Sequence, residues 1–276
     1  MAGGAAVMTF DEAWPILQEE AINKLIDYLQ PDEPFNRQIF TSADYMRLYT
    51  VVYNVASPIP LGPEVDKLYK QYKKTFEDYI SSEVLPSLRG KESNDLLKEL
   101  LRGWKNHKFM LLWLSRIFYY LSRYYISKKG LPSLAETSHS VFYDKVFGEI
   151  KDQVRDAVAS FIEREREGEK TDQPLAKQVL SIFEEIGGDA LENYENDIEE
   201  AMVEASAKFY SAKALDWMAT MSYEEYMLKV EQCLEMEKSR VSEYLKLTNK
   251  NRVLEVVQHE LLNVHAEQLE EKRASS

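Results

Sequence analysis

Cysteine, glycine and proline are all scarce in this chain. Cys233 is the only cysteine among 276 residues, so no disulfide can form within the chain, and a reducing compartment fits. There are 10 glycines and 9 prolines, fewer turn residues than a β-rich fold of this length would carry. No apolar run approaches the roughly 20 residues that a membrane span needs. The opening stretch, Met1 to Met8, lacks the charged, apolar and small-residue order of a secretory signal. These absences lead to the expectation of a soluble protein of the cytoplasm and nucleus. Acids outnumber bases, 47 to 34, for a net charge of −13, which disfavours a nucleic-acid partner because phosphate binding needs clustered Lys and Arg. Lys67, Lys70, Lys73 and Lys74 form a small basic run among acids at helical spacing, the pattern of a solvated helix face.

Catalytic arrangements are missing as well. His259 and His265 stand six residues apart, about 240° around a helix, so they cannot share the face that a helical zinc motif requires. Glu136 and His139 make one Glu-x-x-His, whereas a di-iron bundle needs two of them and further inward carboxylates. No Asp-Asp-x-x-Asp cluster, nucleophile elbow or phosphate loop is present, and Gly187-Gly188 reads as a helix terminator. Cys233 lies on an amphipathic stretch and reads as a packed thiol. Neither a metal nor a cofactor is expected, and the chain reads as a non-enzyme.

What is present is helix-forming sequence, with 45% apolar and 29% charged residues of mixed sign. Thr9 and Glu12 form a capping box opening a helix through Tyr28, with Pro15 in its first turns or kinking it. Pro31 and Pro34 mark the loop after it. Thr41 or Ser42 opens a second helix to about Ala56, ended by Ser57-Pro-Ile-Pro60. Pro63 suits the first turn of a third, which bends near Pro86 and stops at Gly90. Residues 94–129 read as helical, with a break at Gly103 and Asn106-His107, and Gly130 and Pro132 stop them. Further helices are expected from Thr137 to Arg166 and near 173–186, 189–219, 222–247 and 250–272, the last two separated at Thr248-Asn249. Gly168 is the coarse division between two helical bundles. No short-period repeat is visible, and two bundles in line would form a solenoid-like rod.

The 17 tyrosines carry the most information, because many fall in two of these helices. On the second helix, Tyr45, Met46, Val52 and Tyr53 lie within about 60° of Tyr49, while Leu48, Val51 and Val55 form a separate apolar stripe. On the later one, Leu111, Leu114, Phe118, Leu121 and Tyr125 form an ordinary core face. The opposite side carries Trp113, Arg116, Ile117, Tyr120, Arg123, Tyr124 and Ser127. Aromatic residues interleaved with arginine are the composition of protein-binding hot spots. The competing reading packs the same tyrosines against neighbouring helices of the chain, with hydroxyls at the surface.

These strings resemble the cullin family, scaffolds of multisubunit RING-type ubiquitin ligases. Tyr45-Met-Arg-Leu-Tyr-Thr-Val-Val-Tyr-Asn54 resembles the adaptor-binding helix of the SCF-type cullins. Trp104-Lys-Asn-His-Lys108 followed by Trp113 to Tyr125 resembles the fifth helix of the family's first repeat. Ile162-Glu-Arg-Glu-Arg-Glu-Gly-Glu169, Tyr223-Glu-Glu-Tyr-Met227, Glu237 to Leu245 and His259-Glu-Leu-Leu262 come next in family order. The likeness spans about Phe10 to Lys272 and is closest to plant-type members. Pro15 departs from it, since a polar residue is expected after Trp14.

The resemblance implies an all-α fold, an elongated stack of helical repeats in a solenoid-like stalk. The division it implies is a disordered tail over 1–8, an adaptor-binding first repeat over 9–167, a second repeat over 168–272 and a tail over 273–276. It also implies that the chain stops where repeat two would end, without the RING-binding and modifier-accepting region. The partners implied are an SCF adaptor of the Skp family and, through it, an F-box protein, with the RING protein reached only through the region beyond. Matched position by position, the adaptor-binding residues are Tyr45, Met46, Tyr49, Val52, Tyr53, Ile117, Tyr120, Arg123 and Tyr124. An unrelated helical-repeat adaptor that binds basic peptides is the alternative.

Overall fold

The computed structural model describes residues 7–29, 39–57, 62–244 and 251–275, and the regular structure among them is helical throughout. The expectations at Pro31, Pro34, Pro58, Pro60, Thr248 and Asn249, and most of the 1–8 tail, lie outside the described residues. Two compact units are formed. The first comprises 1–90 and 99–150, the second 91–98 and 151–276.

In the first unit, α1 (Phe10–Leu17) runs through a π segment (Gln18–Asn23) into α2 (Lys24–Leu29). The Thr9 hydroxyl accepts from the Glu12 N–H at 3.3 Å, and the Glu12 carboxylate accepts from the Thr9 N–H at 2.8 Å, closing the capping box. Pro15 is inside α1, so the helix tolerates one absent N–H and proceeds. Next come α3 (Ser42–Ala56), capped by Thr41 and Asp44, and α4 (Pro63–Tyr79) with proline in its first turn. The bend expected near Pro86 is a π segment (Ile80–Val84) leading into the short α5 (Leu85–Leu88).

The long α6 (Ser93–Ile117) contradicts the break expected at Gly103 and Asn106-His107. A Cβ at Gly103 would stand 3.0 Å from Val84 Cγ1, so this glycine permits close approach of a neighbouring element and is no terminator. His107 is fully buried, its Nε2 2.8 Å from Ser138 Oγ. After α6 a π segment (Leu121–Ile126) leads to α7 (Ser127–Lys129), which ends at Gly130 with φ 62°. Then come α8 (Leu134–Phe142), a π segment (Tyr143–Phe147) and α9 (Gly148–Arg166). Glu136 belongs to the cap of α8, where its carboxylate accepts from the Ser133 N–H at 2.8 Å, which explains the isolated Glu-x-x-His.

The core of this unit is aromatic. Phe142 lies 4.8 Å from both Trp104 and His107, and Tyr72 lies 5.3 Å from Phe76 and Phe118, centroid to centroid. The Tyr72 hydroxyl donates to the Leu134 carbonyl at 3.1 Å, so its burial leaves no polar atom unpaired.

The second unit contains most of α9, then α10 (Gln173–Ile186), α11 (Gly188–Thr220), α12 (Tyr223–Tyr244), α13 (Asn251–Gln258), a π segment (His259–Asn263) and α14 (Ala266–Ser275). The second unit takes residues 91–98, with the opening of α6, and begins again at Lys151, inside α9. The centre of the second unit is charged. The Arg166 guanidinium (1% exposed) forks onto the Glu237 carboxylate (0%), with Nε donating at 2.9 Å and Nη2 at 3.0 Å. Nη2 also donates to Ser206 Oγ at 2.5 Å, the Tyr210 hydroxyl donates to Glu237 at 2.8 Å, and Arg240 adds a further donor. Burial opposes ionisation of Glu237, but the bonds and charge of Arg166, with Arg240, outweigh it and hold the carboxyl below its usual range.

Each core can be tested by unfolding. Burial, with the neighbouring His139, depresses the His107 pKa from 6.5 to about 3. The unfolded chain therefore binds the proton first, and stability that is full above pH 6.5 declines as pH falls toward 3. Urea unfolding monitored by circular dichroism should show this slope, about 1.4 kcal/mol per pH unit at most, and a His107→Gln variant should lack it between pH 6.5 and 5. Glu237→Gln should destabilise the second unit by about 3–5 kcal/mol by leaving Arg166 buried without its counter-charge, and Arg166→Met with Glu237→Leu should recover most of the loss in the same measurement.

Candidate interaction surface

The site is built from α3, the end of α6 and the segment that joins α6 to α7, all within the first unit. On α3, Leu48, Val51, Val52, Val55 and Ala56 are buried, so one side of the helix is used up by the core. Tyr45, Tyr49 and Tyr53 are half-buried on the other side, and Met46 is 55% exposed. On the later stretch, Met110, Leu114, Ile117, Phe118, Leu121 and Tyr125 point into the unit. The Tyr125 hydroxyl donates to the Asp66 carboxylate, which anchors the π segment against α4. Tyr120 is half-buried, while Arg123 and Tyr124 are exposed.

The two elements bring their tyrosines together. The rings of Tyr53 and Tyr120 meet edge to face at 5.0 Å, Tyr120 lies 4.5 Å from Tyr124, and Tyr45 lies 6.2 Å from Tyr49. The Arg123 guanidinium sits over the Tyr124 ring at 5.4 Å. Burial raises the Tyr49 pKa, and the neighbouring phenols of Tyr45, Tyr124 and Tyr119 raise it further, partly offset by Arg123. Burial likewise raises that of Tyr120, with Tyr53, Tyr124 and Tyr49 adding to it. The result is a ledge of phenol rings whose apolar bodies pack in neighbouring groups, Tyr45 with Tyr49 and Tyr120 with Tyr53 and Tyr124.

Seven of the nine positions singled out from the sequence therefore lie at this surface. Val52 and Ile117 do not. Both are fully enclosed by the chain's own packing and cannot present a side chain to a partner. Each stands at a seam: Val52 is only about 40° around the helix from Leu48, and Ile117 about 40° from Leu121. A short aliphatic side chain at such a seam has no polar tip to hold it outward, so the core takes it. Two residues missed from the sequence belong to the ledge region, Tyr119 (50% exposed) and Leu112 (47%). The spacing Leu112, Arg116, Tyr119, Arg123 traces one helical stripe, and that signal could have found them.

Other candidate chemistry is dispersed. No group of three or more metal-ligating side chains exists among the described residues, and Cys233 is a free, buried thiol. No described helix is long and apolar enough to cross a membrane.

A family model described as "Cullin alpha solenoid domain" matches residues 17–275, nearly the whole chain. The chain belongs to the cullin family. Among its relatives, Cullin-1 of Oryza sativa subsp. japonica is 46% identical over 96% of this cullin and 35% of its own length. Cullin-like protein 2 of Arabidopsis thaliana is 40% identical over 92% of this chain and 67% of its own. Cullin-like protein 3 of the same plant is 36% identical over 90% of this chain and 94% of its own. This cullin thus spans about a third of the rice relative, and its likeness is to plant members, as its sequence strings imply.

The division between ledge and core in this cullin is testable by stability alone. Ile117→Ala should cost about 2–5 kcal/mol, the range for truncating a buried aliphatic side chain. Met46→Ala, at the surface, should stay within about 0.5 kcal/mol of wild type in urea titrations.

Proposed function

We propose that this chain is the adaptor-docking part of the scaffold of an SCF-type cullin-RING ubiquitin ligase. In this reading the ledge formed by Tyr45, Met46, Tyr49, Tyr53, Tyr120, Arg123 and Tyr124 binds an SCF adaptor of the Skp family, which carries an F-box substrate receptor. The RING protein is reached only through a region of the scaffold outside this chain. The part played here is positioning without catalysis, in the cytoplasm and nucleus. A scaffold acts by holding a substrate near a charged conjugating enzyme and so raising its effective concentration.

The observation that carries the reading is the ledge itself. Six tyrosines and two large apolar side chains, Met46 and Leu112, stand partly or largely open on helices whose inward sides are already filled. Contiguous apolar surface with a polar rim is characteristic of protein interfaces, and tyrosine supplies large contact area at low cost in side-chain entropy. The alternative, capture of basic peptides, is disfavoured at this surface because Arg116 and Arg123 flank the rings.

Calorimetric titration of the purified chain with an SCF adaptor decides the matter. Wild type should bind, and Tyr49→Ala with Tyr120→Ala should weaken binding at least about 30-fold, as loss of central aromatic anchors does. Absence of wild-type binding would reject the function. Full affinity in the double variant would reject the site.

A further inference from the structure

From Leu100 to Ala135 the chain contains no aspartate or glutamate, yet it contains Arg102, Lys105, Lys108, Arg116, Arg123, Lys128 and Lys129. All 47 acids of the 276-residue chain lie elsewhere, about one residue in five there. The same segment supplies the Tyr119, Tyr120 and Tyr124 side of the ledge. Arg116 and Arg123 bracket Tyr119 and Tyr120 along one face, and Lys128 stands a turn beyond Tyr124. No carboxylate forms an ion pair with Arg116, Arg123, Lys128 or Lys129 among the described residues. On the α3 side Glu20 is paired with Arg47, and the Asp44 carboxylate caps the helix, accepting the Thr41 N–H at 3.0 Å.

We propose that the acid-free segment makes the tyrosine ledge a cationic docking edge on an otherwise acidic protein, and that its partner is a folded protein whose contact face is apolar at the centre and acidic at the margin. The proposal rests on the functional reading above and specifies the partner's chemistry and how it is recruited. Charges at a rim that remain solvated add little to the affinity of the docked state, because both sides keep water. They act on encounter. An edge of cations with no carboxylate partner, Arg116 and Arg123 with Lys128 beyond them, steers an acidic face into register and repels basic surfaces, so it raises the association rate and leaves dissociation to the buried rings. The same cations do not favour nucleic acid, because Tyr120 is packed against both Tyr53 and Tyr124 and the Arg123 guanidinium lies over the Tyr124 ring, where a stacked base would have to sit.

Stopped-flow association with an SCF adaptor separates these roles. It would use wild type, Arg116→Gln with Arg123→Gln, and Arg116→Lys with Arg123→Lys, each at several salt concentrations between about 50 and 500 mM. The wild-type association rate should fall about tenfold or more over that range. The glutamine variant should associate about three- to tenfold more slowly at the lowest salt, with a flatter salt dependence and a dissociation rate within about twofold of wild type. The lysine variant should associate like wild type, which separates charge from stacking of Arg123 on Tyr124. A wild-type rate that is insensitive to salt, or a glutamine variant that matches wild type, overturns the steering while leaving the docking function standing. Failure of wild type to bind the adaptor overturns both. Tight binding of a single-stranded DNA of about 20 nucleotides that competes with the adaptor overturns the assignment of a protein partner.

Discussion

Leu48, Val51, Val52, Val55 and Ala56 fill the inward side of α3, and that allocation decides where the tyrosines go. A helix of 15 residues can pack one stripe against its unit. Once aliphatic side chains fill the stripe, bulky rings at Tyr45, Tyr49 and Tyr53 have no interior left to enter. They settle for half-burial against each other and against the segment that carries Tyr120 and Tyr124. The ledge is therefore a consequence of core packing. A larger interior would have absorbed the rings, as it absorbs Tyr72 and Tyr125, whose hydroxyls find the Leu134 carbonyl and Asp66. The ledge tyrosines stay half-buried or exposed.

The two units solve the problem of burying polar groups differently. In the first, His107 is enclosed in its neutral form beside Ser138, among Trp104, Phe76 and Phe142. In the second, charges are buried intact, because Arg166 offers a rigid fork and Glu237 collects donors from Arg166, Tyr210 and Arg240. Such a pair contributes little net stability over an apolar core. It does restrict arrangement, since the fork, the Tyr210 hydroxyl and Ser206 meet only in one register of α9, α11 and α12. This gives a physical reason why the strings Ile162 to Glu169 and Glu237 to Leu245 occur together in one sequence: their charged residues are partners in a single buried cluster.

Helix positions were largely legible, because capping residues and periodicity are local signals. Thr9, Thr41 and Ser133 each cap a helix with an acid three residues on. What sequence could not show depends on neighbours distant along the chain. Gly103 looks like a breaker until Val84 is seen against it, and Glu136-x-x-His139 looks like half a metal motif until Ser133 is seen accepting and donating at the cap. The five π segments among the described residues escape a fixed 100° wheel altogether, since each inserts a residue and shifts the phase of the helix beyond it. For the ledge, the wheel placed the tyrosines correctly and failed at Val52 and Ile117, where a seam separates two apolar stripes. At a seam, angle alone does not decide; side-chain length and the presence of a polar tip do.

Those polar tips also govern the electrostatics of the ledge. Six phenols crowded on one surface would become a patch of negative charge if they ionised, and that charge would cancel Arg116 and Arg123. Burial and mutual proximity act in the opposite direction, raising the pKa of Tyr49 and Tyr120 above the usual phenol value. Ionisation of those two inner rings is thus disfavoured, and the field at the edge remains that of the guanidiniums. Rings set affinity through area withdrawn from water, and cations set the rate and the sign of what may approach. The two contributions stay separable because each comes from a different part of the same stretch, aromatic bodies packed on one another and guanidiniums lying over the rings of Trp113 and Tyr124 at exposed positions.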